Sequence, residues 1–398
     1  MVSSNTSSAV PALRTPLRTL LPNSALLRLG CAWGVSIAFL LGGTAWLAEP
    51  LDPVVAIVCF LVLFGTILYA AFGVVHEVDH LVQALGEPYG TLILTLAVVL
   101  IEVILIAAVM TGPGESPTIG RDSIFAVMMI IMNLVMGLCL LLGGLRYGEQ
   151  EYNTQGAVSY LSMILLLSVT AFVLPTFSSS GNGSFLPVQA VVVGLLTIVL
   201  YGVFLFMQMH GYRRFFVQPQ DGAMEILPTT SHMGEARDDA LDTRKVDRRE
   251  VMVRSLVLVF LMLPIILLAN DMAILIDLGV ERVGAPVAVS GVLIAIIVFT
   301  PESLTAVSAA LHNQMQRVIN LCLGAFVSTI GLTVPAVLFI GLLSGKTVTL
   351  GLDSVDAVLA LLTIALSTLS LFGARTSPIQ GLMHLMLFAV YGLMLFVP

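Results

Sequence analysis

Apolar runs recur along the chain at 29–48, 54–75, 90–110, 124–145, 156–175, 188–209, 251–276, 285–311, 318–343, 355–373 and 379–397. Each is long enough for a helix, rising about 1.5 Å per residue, to cross about 30 Å of hydrocarbon. The short alternating segments of a membrane barrel are absent, so helices that satisfy their own backbone are expected. The pattern predicts an all-α polytopic membrane protein of about eleven transmembrane helices.

Between the sixth and seventh runs the pattern lapses. Residues 211–250 carry eight acids and seven bases with little hydrophobic periodicity, and read as a solvated linker. The spans on either side fall into two groups of five, so the second group must enter the membrane from the opposite face. The expected organisation is a tail at 1–28, an extra helix at 29–48, a first five-helix repeat at 54–209, the linker, and a second, inverted five-helix repeat at 251–398. Inverted repeats are a transporter signature, with the binding site near the midplane where the copies meet.

Composition agrees with the periodicity. Of the 398 residues, 58% are hydrophobic and only 10% charged, against about 25% charged in soluble domains. The net charge of -7 comes with no basic stripe, which argues against nucleic acid as a partner. Cys31, Cys59, Cys139 and Cys322 sit scattered in apolar runs and read as packing residues. Fourteen of the 17 lysines and arginines fall in loops on one side if the N-terminus is inside. By the positive-inside rule the N-terminus is expected in the cytoplasm and the C-terminus outside.

Two carboxylates break the apolar pattern. Glu102 and Glu302 lie within the third and eighth runs, at matching distances from the start of each half. A carboxylate at such depth costs roughly 2.5 to 3.5 kcal/mol on an insertion scale, which points to a function. Sharing a pocket, the two cannot both ionise cheaply, so protons or a cation must neutralise them. Hard divalent ions such as Ca²⁺ take carboxylate and carbonyl oxygens, and one site that binds either a cation or protons is the minimum chemistry of an exchanger. Pro301 removes the amide partner of the Ile297 carbonyl and offers backbone oxygens near Val298 and Thr300. Thr95 lies one heptad before Glu102, while Asn133 and Ser328 occupy near-matching places in the next spans of each half, where close helix packing is the competing role. Asn270 and Asp271 read as a helix terminus.

A competing motif follows the second run. His76, Glu77, Asp79 and His80 lie in an H-E-x-x-H pattern, the helical zinc signature. An intramembrane zinc protease is one reading, but a catalytic zinc needs a third protein ligand that no motif announces. A titratable regulatory cluster in a cytoplasmic connector, or a plain solvated helix face, are the other two.

The runs GEPYGTLILTLAVVLIEV at 86–103, RYGEQEYNTQGA at 146–157 and FTPESLTAVSAALHNQMQRVINLCLGAFVSTIGLTVP at 299–335 resemble the bacterial ChaA-type calcium/proton antiporters of the cation/Ca²⁺ antiporter superfamily. The resemblance covers most of the chain from about residue 54 onward. It implies two inverted five-helix repeats after an extra helix, with Glu102 and Glu302 as central exchange carboxylates and Asn133 and Ser328 nearby. It also implies Ca²⁺ as transported substrate with no tightly bound cofactor, in a bacterial inner membrane. Na⁺ or K⁺ exchange at the same carboxylates stays open, as does homo-oligomerisation.

Overall fold

A computed structural model of the chain describes residues 22–48, 52–85, 89–111, 117–177, 183–218, 248–286, 288–373 and 375–396. The tail at 1–21 and the linker at 219–247 lie outside them, as do the side chains of Thr95, Asp79 and Asn270. Among the described residues the protein is helical, with only two isolated β-bridges. In chain order the helices are α1 (Asn23–Trp46), α2 (Pro53–Leu85), α3 (Tyr89–Thr111), α4 (Ile119–Tyr147), α5 (Thr154–Phe177) and α6 (Pro187–Met209). They continue as α7 (Arg248–Val283), α8 (Ala288–Ala310), α9 (Met315–Ser344), α10 (Ser354–Ser370) and α11 (Pro378–Phe396). By length and composition, eight of the described helices can cross a membrane. α8 makes a ninth as a pair of segments bent by 56° between Thr300 and Glu302, and two shorter apolar stretches, Leu96–Ala108 and Ser354–Ser370, lie in α3 and α10.

Two boundaries differ from the sequence expectation. α2 continues to Leu85, so the H-E-x-x-H residues belong to its last turns and not to a connector. Apolar packing extends that far because Val74, Val75, Val78 and Leu81 are all buried. α7 runs on to Val283, which leaves Asp271 within the helix body and not at its terminus. There the Asp271 carboxylate lies close to Gly43 of α1.

α2 and α7 pack along each other, α3 packs against α7 and α9, and α8 packs against α2 and α4. Two clasps of loops hold the ends of this arrangement. In the first, Gly148 closes α4 at φ 76°, a conformation open to glycine, and turns the chain into the segment before α5. There Gln150 accepts from Thr376 N (3.1 Å) and donates through Nε2 to the carbonyl of Ala310 (3.1 Å) and to Asn313 Oδ1 (3.0 Å). The hydroxyls of Tyr152 and Thr154 both donate to the Gly373 carbonyl, at 2.7 and 2.8 Å. Arg375 pairs with Glu151 at 2.9 Å.

The second clasp is built by the α9–α10 loop. Thr349 N donates to Pro117 O (2.9 Å), Gly351 N to Gly183 O (2.8 Å) and Leu352 N to Phe172 O (3.0 Å), while Arg121 Nη1 donates to Gly351 O (2.9 Å). The α4–α5 loop thus ties down the α8–α9 and α10–α11 loops, and the α9–α10 loop ties down the α3–α4 link and the α5–α6 region. Exchanging the two groups of five helices turns one set of contacts into the other.

Helix crossings close to van der Waals limits depend on small residues. At the α4–α11 crossing a Cβ on Gly381 would lie 2.6 Å from Leu141 N and 2.7 Å from the Gly137 carbonyl. Both are backbone atoms that cannot rotate aside. Gly381→Ala is therefore expected to force the helices apart and to cost about 1–3 kcal/mol, read as a lower melting temperature of the purified protein. Unchanged melting would show that the crossing has slack.

Candidate cation and proton site

The two glutamates occupy equivalent places, Glu102 as the fourteenth residue of α3 and Glu302 as the fifteenth of α8, each helix being 23 residues long. Both are inside the protein: Glu102 is 0% and Glu302 4% exposed, so neither faces acyl chains. The two helices that carry them, α3 and α8, pack against each other.

Their surroundings are unlike. Glu102 Oε2 accepts a hydrogen bond from Thr329 Oγ1 of α9 at 2.8 Å, and its Oε1 has no partner. Thr333, also buried on α9, carries a hydroxyl with no hydrogen-bond partner. Both oxygens of Glu302 lack partners. Glu302 borders a cavity of about 10 Å³ walled by Ile131, Val135, Phe299, Leu321 and Ala325, close to the least that holds one water. Three buried carboxyl oxygens without partners would be costly in a static core. They are what a site that takes up and releases ions requires.

Local backbone irregularity surrounds each carboxylate. α4 and α9 each contain a π turn, at Ile130–Val135 and Thr329–Thr333, and the bend of α8 falls next to Glu302. A π turn adds a residue to the helical circuit, so it rotates the following side chains and loosens the carbonyl ladder. In α9 this turn begins at Thr329. That residue, and not the neighbouring Ser328, hydrogen-bonds Glu102.

The other expected ligands are committed elsewhere. Ser328 Oγ donates to the Gly324 carbonyl (2.9 Å) and shares a hydrogen bond with the Tyr201 hydroxyl of α6 (2.7 Å). Asn133 Nδ2 donates to Thr363 Oγ1 of α10 (2.8 Å), and its Oδ1 accepts from Nδ1 of buried His384 of α11 (3.2 Å). His384 Nε2 lies 3.2 Å from Ser370 Oγ, so a satisfied polar network pins α4 to α10 and α11. Thr300 Oγ1 donates back to the Ile296 carbonyl at 2.5 Å, next to the break that Pro301 makes. Thr329 and Thr333 were missed in sequence reading, although two hydroxyls in the apolar run STIGLT at 328–333 are a polar signal of the same kind.

The central glutamate of the H-E-x-x-H segment is taken up by an ion pair. Glu77 is 1% exposed and accepts from Arg254 Nη1 of α7 at 3.2 Å, while Arg254 Nε also pairs with Glu250 at 3.0 Å. The His76 and His80 rings meet edge to face, with centroids 4.8 Å apart. No group of three metal-binding side chains is found among the described residues. Cys59, Cys139 and Cys322 are buried and unpaired, and Cys31 is exposed.

Comparison with known proteins agrees with this architecture. The family described as sodium/calcium exchanger protein matches residues 55–210 and 254–397. The chain is 36% identical over 345 residues to the putative ionic transporter y4hA of Sinorhizobium fredii, covering 86% of this chain and 90% of that protein. It is 33% identical over 351 residues to the sodium-potassium/proton antiporter ChaA of Escherichia coli, covering 88% and 92%. The fold is similar to the crystal structure of the H⁺/Ca²⁺ exchanger CAX, with a TM-score of 0.65, 14% identity, and coverage of 94% of this chain and 89% of that one. The chain belongs to the sodium/calcium exchanger family, whose members are secondary transporters and not enzymes.

Proposed function

We propose that this protein exchanges Ca²⁺ for protons across a bacterial inner membrane, with Glu102 and Glu302 binding the two alternately. The observation that carries the reading is the set of three unpartnered carboxyl oxygens, buried on two helices that pack against each other. Two carboxylates carry two negative charges, which one Ca²⁺ or two protons neutralise equally. Either form crosses the low-dielectric interior without net charge on the pair. Ca²⁺ takes six to eight oxygens, roughly. The carboxyls supply four, the hydroxyls of Thr329 and Thr333 two more, and carbonyls at the π turns and the α8 break can complete the shell.

Alternating access would move the first helices of each half, α2 and α7, past the fixed carboxylates. In this reading the N-terminus would lie in the cytoplasm and the C-terminus outside, as the distribution of lysines and arginines predicts.

A second reading, Na⁺ or K⁺ against protons at the same carboxylates, is favoured by the name of the Escherichia coli relative. A monovalent ion leaves one carboxylate charged, so one proton would stay with the site. A panel of chloride salts separates the two in inside-out vesicles holding an imposed proton gradient. Ca²⁺ is expected to collapse the gradient. Collapse by Na⁺ or K⁺ with none by Ca²⁺ would replace the first reading with the second.

A further inference from the structure

Between α1, α2, α8 and the first turn of α9 lies an open cavity of about 630 Å³. It is on the side that the arginine count assigns to the cytoplasm. Its charged and titratable lining is Arg28, His76, His312 and Arg317, and no described carboxylate lines it. Thr305, on its wall, is one turn along α8 from Glu302. The permanent charges among these described lining groups are those of arginines, which favour an anion over a cation.

Arg28 is held as part of a built surface. Its guanidinium carbon lies 5.9 Å from the ring centre of Tyr69 on α2. Its stem crosses α2 at Gly73, where a Cβ would come within 3.2 Å of Arg28 Cδ. Arg28 Nε and Nη1 are shut away from solvent and have no hydrogen-bond partner. Unpaired buried donors on a charged group are costly and call for an acceptor. His312 Nδ1 donates to the Ser308 carbonyl at 2.7 Å, which fixes that ring against the α8 wall.

We propose that this cavity binds a phosphate-bearing anion, with Arg28 as anchor and Arg317, His76 and His312 around it. The planar fork of arginine matches phosphate oxygens two at a time. Basic pockets between transmembrane helices at the cytoplasmic side suit anionic headgroups. Leu304 on the rim is 54% exposed, so acyl chains could run past it, and a phospholipid headgroup and free phosphate share the chemistry required.

The test uses full-length protein. One arm measures binding of radiolabelled inorganic phosphate by equilibrium dialysis in a neutral detergent. The other measures phosphatidylglycerol retained by native mass spectrometry after extraction from phosphatidylcholine vesicles containing phosphatidylglycerol. Saturable binding in either arm, weakened at least about tenfold by Arg28→Ala, is expected, and the responding arm identifies the source. Arg28→Lys, which keeps the charge but not the fork, should weaken it less and serves if Arg28→Ala does not fold. Glu302→Gln should bind the anion as well as wild type, so loss of exchange there leaves this site standing. Absence of binding in both arms, or binding indifferent to Arg28→Ala and Arg28→Lys, overturns the proposal.

Discussion

Glu302→Gln is expected to reduce cation-driven proton release in vesicles to the level of vesicles without the protein, and Glu102→Gln to do the same. Glutamine keeps the volume and one acceptor oxygen and replaces the other oxygen with an NH₂ donor, yet it can neither carry a proton to and fro nor lend charge to a cation. The two variants differ in what surrounds the amide. At position 102 the Thr329 hydroxyl still finds an acceptor, whereas at 302 the amide faces Ile131, Val135 and Phe299 without a partner. Glu302→Gln should therefore also lower thermal stability more than Glu102→Gln. Persistent exchange in either variant would remove that glutamate from the site.

Arg254→Ala is expected to destabilise the protein by about 3–5 kcal/mol, the usual consequence of leaving one member of a buried ion pair alone. Glu77 is 1% exposed and Arg254 8% by side chain, so solvent screens the pair little. The partner left behind is a carboxylate packed among Val74, Val78 and Leu81. The variant Glu77→Gln with Arg254→Met removes both charges and should regain most of the loss. Because the pair joins α2 to α7, it also couples the two helices that alternating access would move, and exchange should slow in Arg254→Ala beyond the loss of folded protein. Thermal melting together with vesicle exchange checks this; a shift in melting temperature below that of Gly381→Ala would refute the expected magnitude, and no shift would show that the pair contributes nothing.

Much of this was legible before the fold. Glu102 and Glu302 stand out because carboxylates in apolar runs are expensive anywhere in the runs, and that cost does not depend on knowing the neighbours. The same logic located the helices and the polar break at the linker. The H-E-x-x-H pattern misled because a five-residue spacing specifies one helix face and says nothing about what packs on it. Arg254, 177 residues away, takes up the central glutamate. Asn133 and Ser328 were reasonable ligands by register, but their amide and hydroxyl satisfy α10, α11 and α6.

By itself, the amino-acid order determined the solvent: long apolar runs admit only helices in a bilayer, and two acids within them stand out by the cost of placing them there. The tertiary structure alone decided which hydroxyl meets Glu102, that the Glu302 oxygens are left without a hydrogen-bond partner, and that arginines and histidines from three helices and the α8–α9 loop converge on one cavity. Periodicity assumes a uniform turn along each helix, and the π turns of α4 and α9 and the bend of α8 break that uniformity through contacts between segments far apart in the chain.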